Sequence, residues 1–212
     1  MFRIALSLIV AVLAVSCGGP RYVDYFPCHD DGKLKPSVVV VPVMVPCEMP
    51  CASDVSKAMT GNIRFQFMNE GELFLLSEGE VHKGLSEIGN IEWLTNNEAF
   101  AQHFCNADFI VLTELMQSPV LPSCNNGPCP CQYNFIAKLR IKVIDVRPRC
   151  PRIVLQEILK GDYIIPCTAD EVASGALNCN PETYRTSPMG KVHQRLISAY
   201  VQRIQEVIKS AY

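Results

Sequence analysis

Hydrophobic and polar positions change period several times along this chain, and each change marks an element. Ser37 to Val45 (SVVVVPVMV) is an unbroken, β-branched apolar run, the pattern of a strand buried on both faces. Pro42 interrupts it; proline has no N–H to give a ladder, so a bulge or a strand end is expected there. After a loop over Pro46–Cys51, Ser53 is expected to cap a helix, with Asp54 at the positive end of its dipole. Val55, Met59, Ile63 and Phe67 then recur every four residues as a helical stripe, and Glu70-Gly71 closes it. Glu72–Ser77 (ELFLLS) predicts a short strand. His82–Gly89 fits a short helix or a loop. Thr95 is placed to cap a helix through Phe104, with Ala99 and Phe100 inward. Asp108–Met116 (DFIVLTELM) predicts another buried strand.

From Tyr133 to Val146 the period becomes two. Phe135, Ala137, Leu139, Ile141 and Val143 alternate with Lys138, Arg140 and Lys142, as in an antiparallel strand with one wet face. Arg147–Pro151 turns the chain, and Ile153–Ile165 returns as the hairpin partner. A last helix is expected from Ser187 to Ala211, with Pro188 in its first turn and Val192, Leu196, Ala199, Ile204, Val207 and Ile208 as its buried stripe. The predicted order is β-α-β-α-β-β-β-α: an α/β domain over residues 37–212, built on a mixed sheet of about five strands, with cysteine-rich loops. No repeat of 20–50 residues is present, which excludes a solenoid.

The first residues read differently. Arg3, an apolar run from Ile4 to Val15, then Ser16 and Cys17 make a signal sequence with its cleavage site. The run is shorter than the roughly 20 residues a spanning helix needs. Leu13-Ala14-Val15-Ser16-Cys17 resembles the lipobox of bacterial lipoproteins, with Ala14 where that family prefers Leu or Val. The resemblance implies removal of residues 1–16, a diacylglycerol on the Cys17 thiol and an acyl chain (palmitate or similar) on its new amine. Each buried CH₂ of such chains contributes roughly 0.8 kcal/mol to membrane binding. Gly18 is not the aspartate that often retains such proteins at the inner membrane, so the outer membrane, periplasmic face, is expected. Residues 17–36 would be the lipidated tether, with Tyr22, Tyr25 and Phe26 available to dock it.

The element order, with ELFLLS and Ala107-Asp108-Phe109-Ile110-Val111-Leu112-Thr113, resembles a group of small α/β domains. These are the N-terminal domain of the Tol-system propeller protein, the curli-secretion lipoprotein and the lipoprotein activators of penicillin-binding proteins. A weaker likeness is to cysteine-rich lipoproteins of chlamydia-like bacteria. The resemblance implies a non-enzymatic domain that binds another envelope protein or a peptidoglycan-associated component. The cysteine-rich loops depart from the group, and no site residue carries over.

Composition narrows the function further. The net charge is −2, and −3 once Arg3 is removed, so no basic field invites nucleic acid. No Gly-x-Ser-x-Gly, His-Glu-x-x-His or phosphate-loop pattern occurs, no small-molecule substrate is implied, and His29, His82, His103 and His193 are scattered. Glu70, Glu72, Glu78 and Glu80 read as solvated ends of a strand.

Eleven cysteines are present. With Cys17 lipidated, ten remain: Cys28, Cys47, Cys51, Cys105, Cys124, Cys129, Cys131, Cys150, Cys167 and Cys179. An even set in an oxidising compartment reads as a disulfide framework. If the first and third strands are parallel and the next two alternate, Cys47, Cys51, Cys124, Cys129, Cys131, Cys167 and Cys179 gather at one end of the sheet. Cys105 and Cys150 fall at the other, where a Cys105–Cys150 bond is expected if their Cα atoms lie within about 7 Å. Cys124, Cys129 and Cys131 lack the spacing and the histidine of a zinc site, so no metal and no cofactor beyond the covalent lipid is expected. The sequence leaves three functions open. The leading one is binding of an envelope partner through the cysteine-stapled loop end. The others are structural cross-linking by intermolecular disulfides and thiol-disulfide exchange at Cys129-Pro130-Cys131.

Overall fold

The computed structural model describes residues 26–49, 52–89, 96–116, 120–123, 132–166, 186 and 188–212. The elements are β1 (Ser37–Val40), α1 (Ala52–Glu70), β2 (Phe74–Leu75), α2 (Glu78–Ile88), α3 (Asn97–His103), β3 (Phe109–Met116), β4 (Val120–Ser123), β5 (Gln132–Asp145), β6 (Arg152–Pro166) and α4 (Pro188–Ala211). They build one mixed sheet in the order β2-β1-β3-β5, with β6 on the far side of β5. The β5 strand is long enough that β3 pairs with its second half and β4 with its first, end to end along the same edge. β2, β1 and β3 are parallel, and β5 and β6 return antiparallel.

Burial explains the continuous apolar runs. Successive strand residues point to opposite faces, and at β1 and β3 both faces are covered. Val38, Val40, Phe109 and Val111 pack with Met59, Ile63 and Phe67 of α1 and with Leu196, Tyr200 and Ile204 of α4. Val39, Val41, Ile110 and Leu112 pack with Val81 and Ile88 of α2, Phe100 of α3 and Phe104 just past its end. The result is three layers, with α1 and α4 on one face and α2 and α3 on the other.

The expected strand end at Pro42 is observed. β1 stops at Val40, and the chain then rejoins β3, Met44 N–H donating to Thr113 O (2.9 Å) and Leu115 N–H to Met44 O (2.8 Å). The most specific sequence stretch, Ala107–Thr113, proves structural. The Asp108 Oδ2 accepts from Ser37 N–H and Ser37 Oγ–H, both at 2.8 Å, and locks the starts of β1 and β3 together.

Several local expectations are corrected. α1 already includes Ala52, so Ser53 lies inside its first turn and does not cap it. Asn96, one residue past Thr95, caps α3 by accepting from Ala99 N–H at 3.0 Å. The uncertain stretch His82–Gly89 belongs to a full helix that begins earlier. Ser77 and Glu80 form its capping box, so Glu80 is a cap and not a solvated strand end. Gly84 lets this helix approach α3, since a Cβ there would sit 2.5 Å from the Phe104 ring. On α4, Ala199 is exposed and Tyr200 takes the core position. Lys142, expected on a wet face, is buried opposite Leu112, and burial lowers its pKa.

Candidate binding groove

The shortness of β2 opens the site. Among the described residues no strand pairs with the outer edge of β1 beyond Val38, whose carbonyl accepts from Leu76 N–H at 3.0 Å. α1 and α2 stand on either side of this open edge. Two α1 hydroxyls repair the ladder that Pro42 breaks. Thr60 Oγ1 accepts from Val43 N–H (2.9 Å) and donates to Ser56 O (2.7 Å), while Ser56 Oγ donates to Val43 O (2.6 Å). One turn on, the buried Arg64 donates from Nη2 to Leu76 O at 2.9 Å, and its Nε lies 3.4 Å from Glu78 Oε1. These contacts hold α1, β2 and α2 around a cavity of about 270 Å³.

The cavity floor is Val40, Pro42 and Val81, and its rim carries Ser53, Lys57, Gly61 and His82. A Cβ at Gly61 would meet nothing within 4 Å, so this glycine leaves the groove open. Arg64 and Glu78 also line the cavity, so the apolar floor is ringed by groups of both charges. Ser53, Lys57 and Gly61 lie on the N-terminal half of α1 and His82 on α2.

A second cavity of about 430 Å³ lies between α1 and α4, walled by Met59, Phe65, Met68, Ile197 and His193. His193 is buried, and desolvation pushes its pKa down to about 4. The unfolded chain therefore binds a proton near pH 6.5 that the folded chain refuses until about pH 4. Stability falls with acidity across that window, by about 3 kcal/mol at roughly 1.4 kcal/mol per pKa unit. His193→Gln should flatten the slope of unfolding free energy between pH 6.5 and 4, as read by urea titrations at several pH values.

Other polar groups of the core are engaged structurally. Tyr200 O–H and Thr113 Oγ1 are hydrogen-bonded inside the core. Asp145 is held by Arg147 and Arg152. Among the described residues no group of three or more His, Cys, Asp or Glu side chains could hold a metal ion, and no helix is long and apolar enough to cross a membrane.

Four of the cysteines lie among the described residues. Cys47 is exposed in the loop after β1; Cys105 precedes β3 and Cys150 lies in the β5–β6 turn, at the opposite end. Phe109 pairs with Asp145, which puts the latter two at the same end of the sheet. Both are exposed free thiols in this structure. Cys28 is a half-buried free thiol in a turn bridged to Leu34, and Phe26 beside it is exposed. Cys17, Cys51, Cys124, Cys129, Cys131, Cys167 and Cys179 lie outside the described residues. The groove itself was not foreseen; only Pro42 and the glycine within the α1 pattern hinted at it.

These features define a three-layer α/β domain with a solvent-open groove beside an edge strand. The chain belongs to a family of unknown function, DUF7499, whose pattern matches residues 25–212. No curated protein matches it. Among solved structures, the hypothetical protein CT253 from Chlamydia trachomatis shares the fold, with TM-score 0.56 and 19% identity over 82% of this chain and 98% of that one. Lipoprotein GNA1162 from Neisseria meningitidis aligns with TM-score 0.41 and 12% identity, over 81% of this chain and 99% of that one. TolB from Acinetobacter baumannii aligns with TM-score 0.36 and 12% identity, over 66% of this chain and 26% of that one.

Proposed function

We propose that this chain is a lipid-anchored envelope protein, held at the outer membrane through Cys17, which acts by binding another envelope component and not by catalysis. The groove between α1 and α2 carries the reading. It is open to solvent, rigidly framed by the Thr60, Ser56 and Arg64 hydrogen bonds, and lined by groups suited to recognition. A rigid frame reduces the ordering entropy lost on association. The leader ending at Cys17 supports the anchor.

Photo-crosslinkers placed at Lys57 and at His82 in intact cells test the groove. Both should yield one adduct of the same mass, and a crosslinker at the α4 position Gln202 should not. Gly61→Trp fills the groove without removing a core contact, and should reduce the adduct by about tenfold, the equivalent of 1.4 kcal/mol. Equal adducts from all three positions, or an adduct indifferent to Gly61→Trp, would contradict the reading.

A second reading is favoured by the exposure of Cys47, Cys105 and Cys150, three thiols at the surface. Such thiols suit disulfides between molecules, which would make the protein a cross-linked element of the envelope. A ladder of covalent species on non-reducing gels, collapsing with reductant, would support it.

A further inference from the structure

The hairpin β5–β6 ends the sheet with an edge strand of 15 residues, Arg152–Pro166. Among the described residues its only strand partner is β5. Long edges of this kind template pairing with another chain. The pattern along the middle of this edge is mirror-like about Gly161: Ile158, Leu159, Lys160, Gly161, Asp162, Tyr163, Ile164.

We propose that β6 pairs antiparallel with β6 of a second copy, with the two-fold axis at Gly161, joining two sheets into one. A two-fold interface must be self-complementary, residue i meeting j while j meets i. This register places Lys160 opposite Asp162 of the second copy and Ile158 opposite Ile164, each pair occurring twice. Leu159 and Tyr163 meet on the other face, the one that carries α4. Opposite charges and aliphatic pairs directly across an antiparallel ladder are stabilising, and like charges are not.

Two further observations fit this occupant. Ile158 and Ile164 are 43% and 66% exposed, two of the few large apolar side chains at the surface among the described residues, and both lie on the sheet face away from α4. Within one chain Lys160 is registered against Lys138 of β5, a like-charge pair. Asp162 of the second copy would flank Lys160 from the other side and offset that repulsion. Gly161 adds no Cβ at the axis, and the Tyr163 ring lies over it, since a Cβ there would come within 2.3 Å of that ring.

Sedimentation velocity of the purified full-length chain in detergent tests the pairing. The wild type should sediment as a dimer. Lys160→Asp and Asp162→Lys should each weaken self-association by about tenfold or more, because each sets two like-charge pairs across the axis. Combining Lys160→Asp with Asp162→Lys should restore the dimer. Both residues are exposed, and circular dichroism of each variant checks that it still folds. A monomeric wild type, or a dimer that neither single reversal weakens, would overturn the proposal.

Discussion

Arg147→Met should cost the domain about 3 kcal/mol, the lower part of the range for removing one partner of a buried ion pair. The Asp145 carboxylate has no exposed surface. Arg147 binds it in a fork, Nε to Oδ1 and Nη2 to Oδ2, both at 2.9 Å, and Arg152 shares Oδ2. The same guanidinium donates to Ala211 O at 2.6 Å and lies over the Phe109 and Tyr212 rings. It thereby ties the hairpin turn, the start of β3 and the last carbonyls of α4, which have no partners within their own helix. Burial alone would raise the Asp145 pKa, but the hydrogen bonds from Arg147 and then Arg152 outweigh it and hold the group below its ordinary value of 3.8. A carboxylate with a depressed folded pKa contributes stability above its unfolded value and loses it as pH falls further. The wild type should therefore lose this contribution below about pH 4, and Arg147→Met, which keeps only the Arg152 contact, should show less of that acid-dependent loss. Arg147→Lys should recover little, since an ammonium cannot form the fork. Urea unfolding at neutral and acid pH checks each point.

Tyr200→Ala should cost about 3–5 kcal/mol, the range for truncating a large buried ring. Tyr200 is among the largest fully buried side chains and descends from α4 onto β3, where its hydroxyl meets Thr113. Desolvation raises its pKa, although the Thr113 hydrogen bond acts the other way, so the phenol stays protonated. Tyr200→Phe keeps the ring but leaves the Thr113 hydroxyl buried without that partner, at about 1–3 kcal/mol. Adding Thr113→Val should recover most of that loss, because removing both polar groups removes the unmet hydrogen bond. Thermal or denaturant unfolding of the wild type, Tyr200→Phe, Thr113→Val and the double variant gives the cycle.

Much of the scaffold could be read from the chain because its main elements are long and keep one period. The strand from Asp108, the hairpin around Arg147 and the last helix all carry uninterrupted patterns. α2 was harder, since Gly79 and Gly84 break its propensity and its apolar positions Val81, Leu85 and Ile88 are sparse. Ser77-x-x-Glu80 was the available signal. Ala199 and Tyr200 show the limit of periodicity: a small residue fits either face, and only the position of Thr113 on β3 explains why a tyrosine turns inward. The groove was illegible for a different reason. Its residues come from three elements, follow no motif, and become a site only because β2 ends after two residues.

The anchored-binding account rests on what happens at the amino terminus. Mass spectrometry of the protein purified from membranes should show a chain beginning at Cys17 and carrying a thioether-linked diacylglycerol, with a further acyl group on its amine. A chain still beginning at Met1, with an unmodified Cys17, would contradict it.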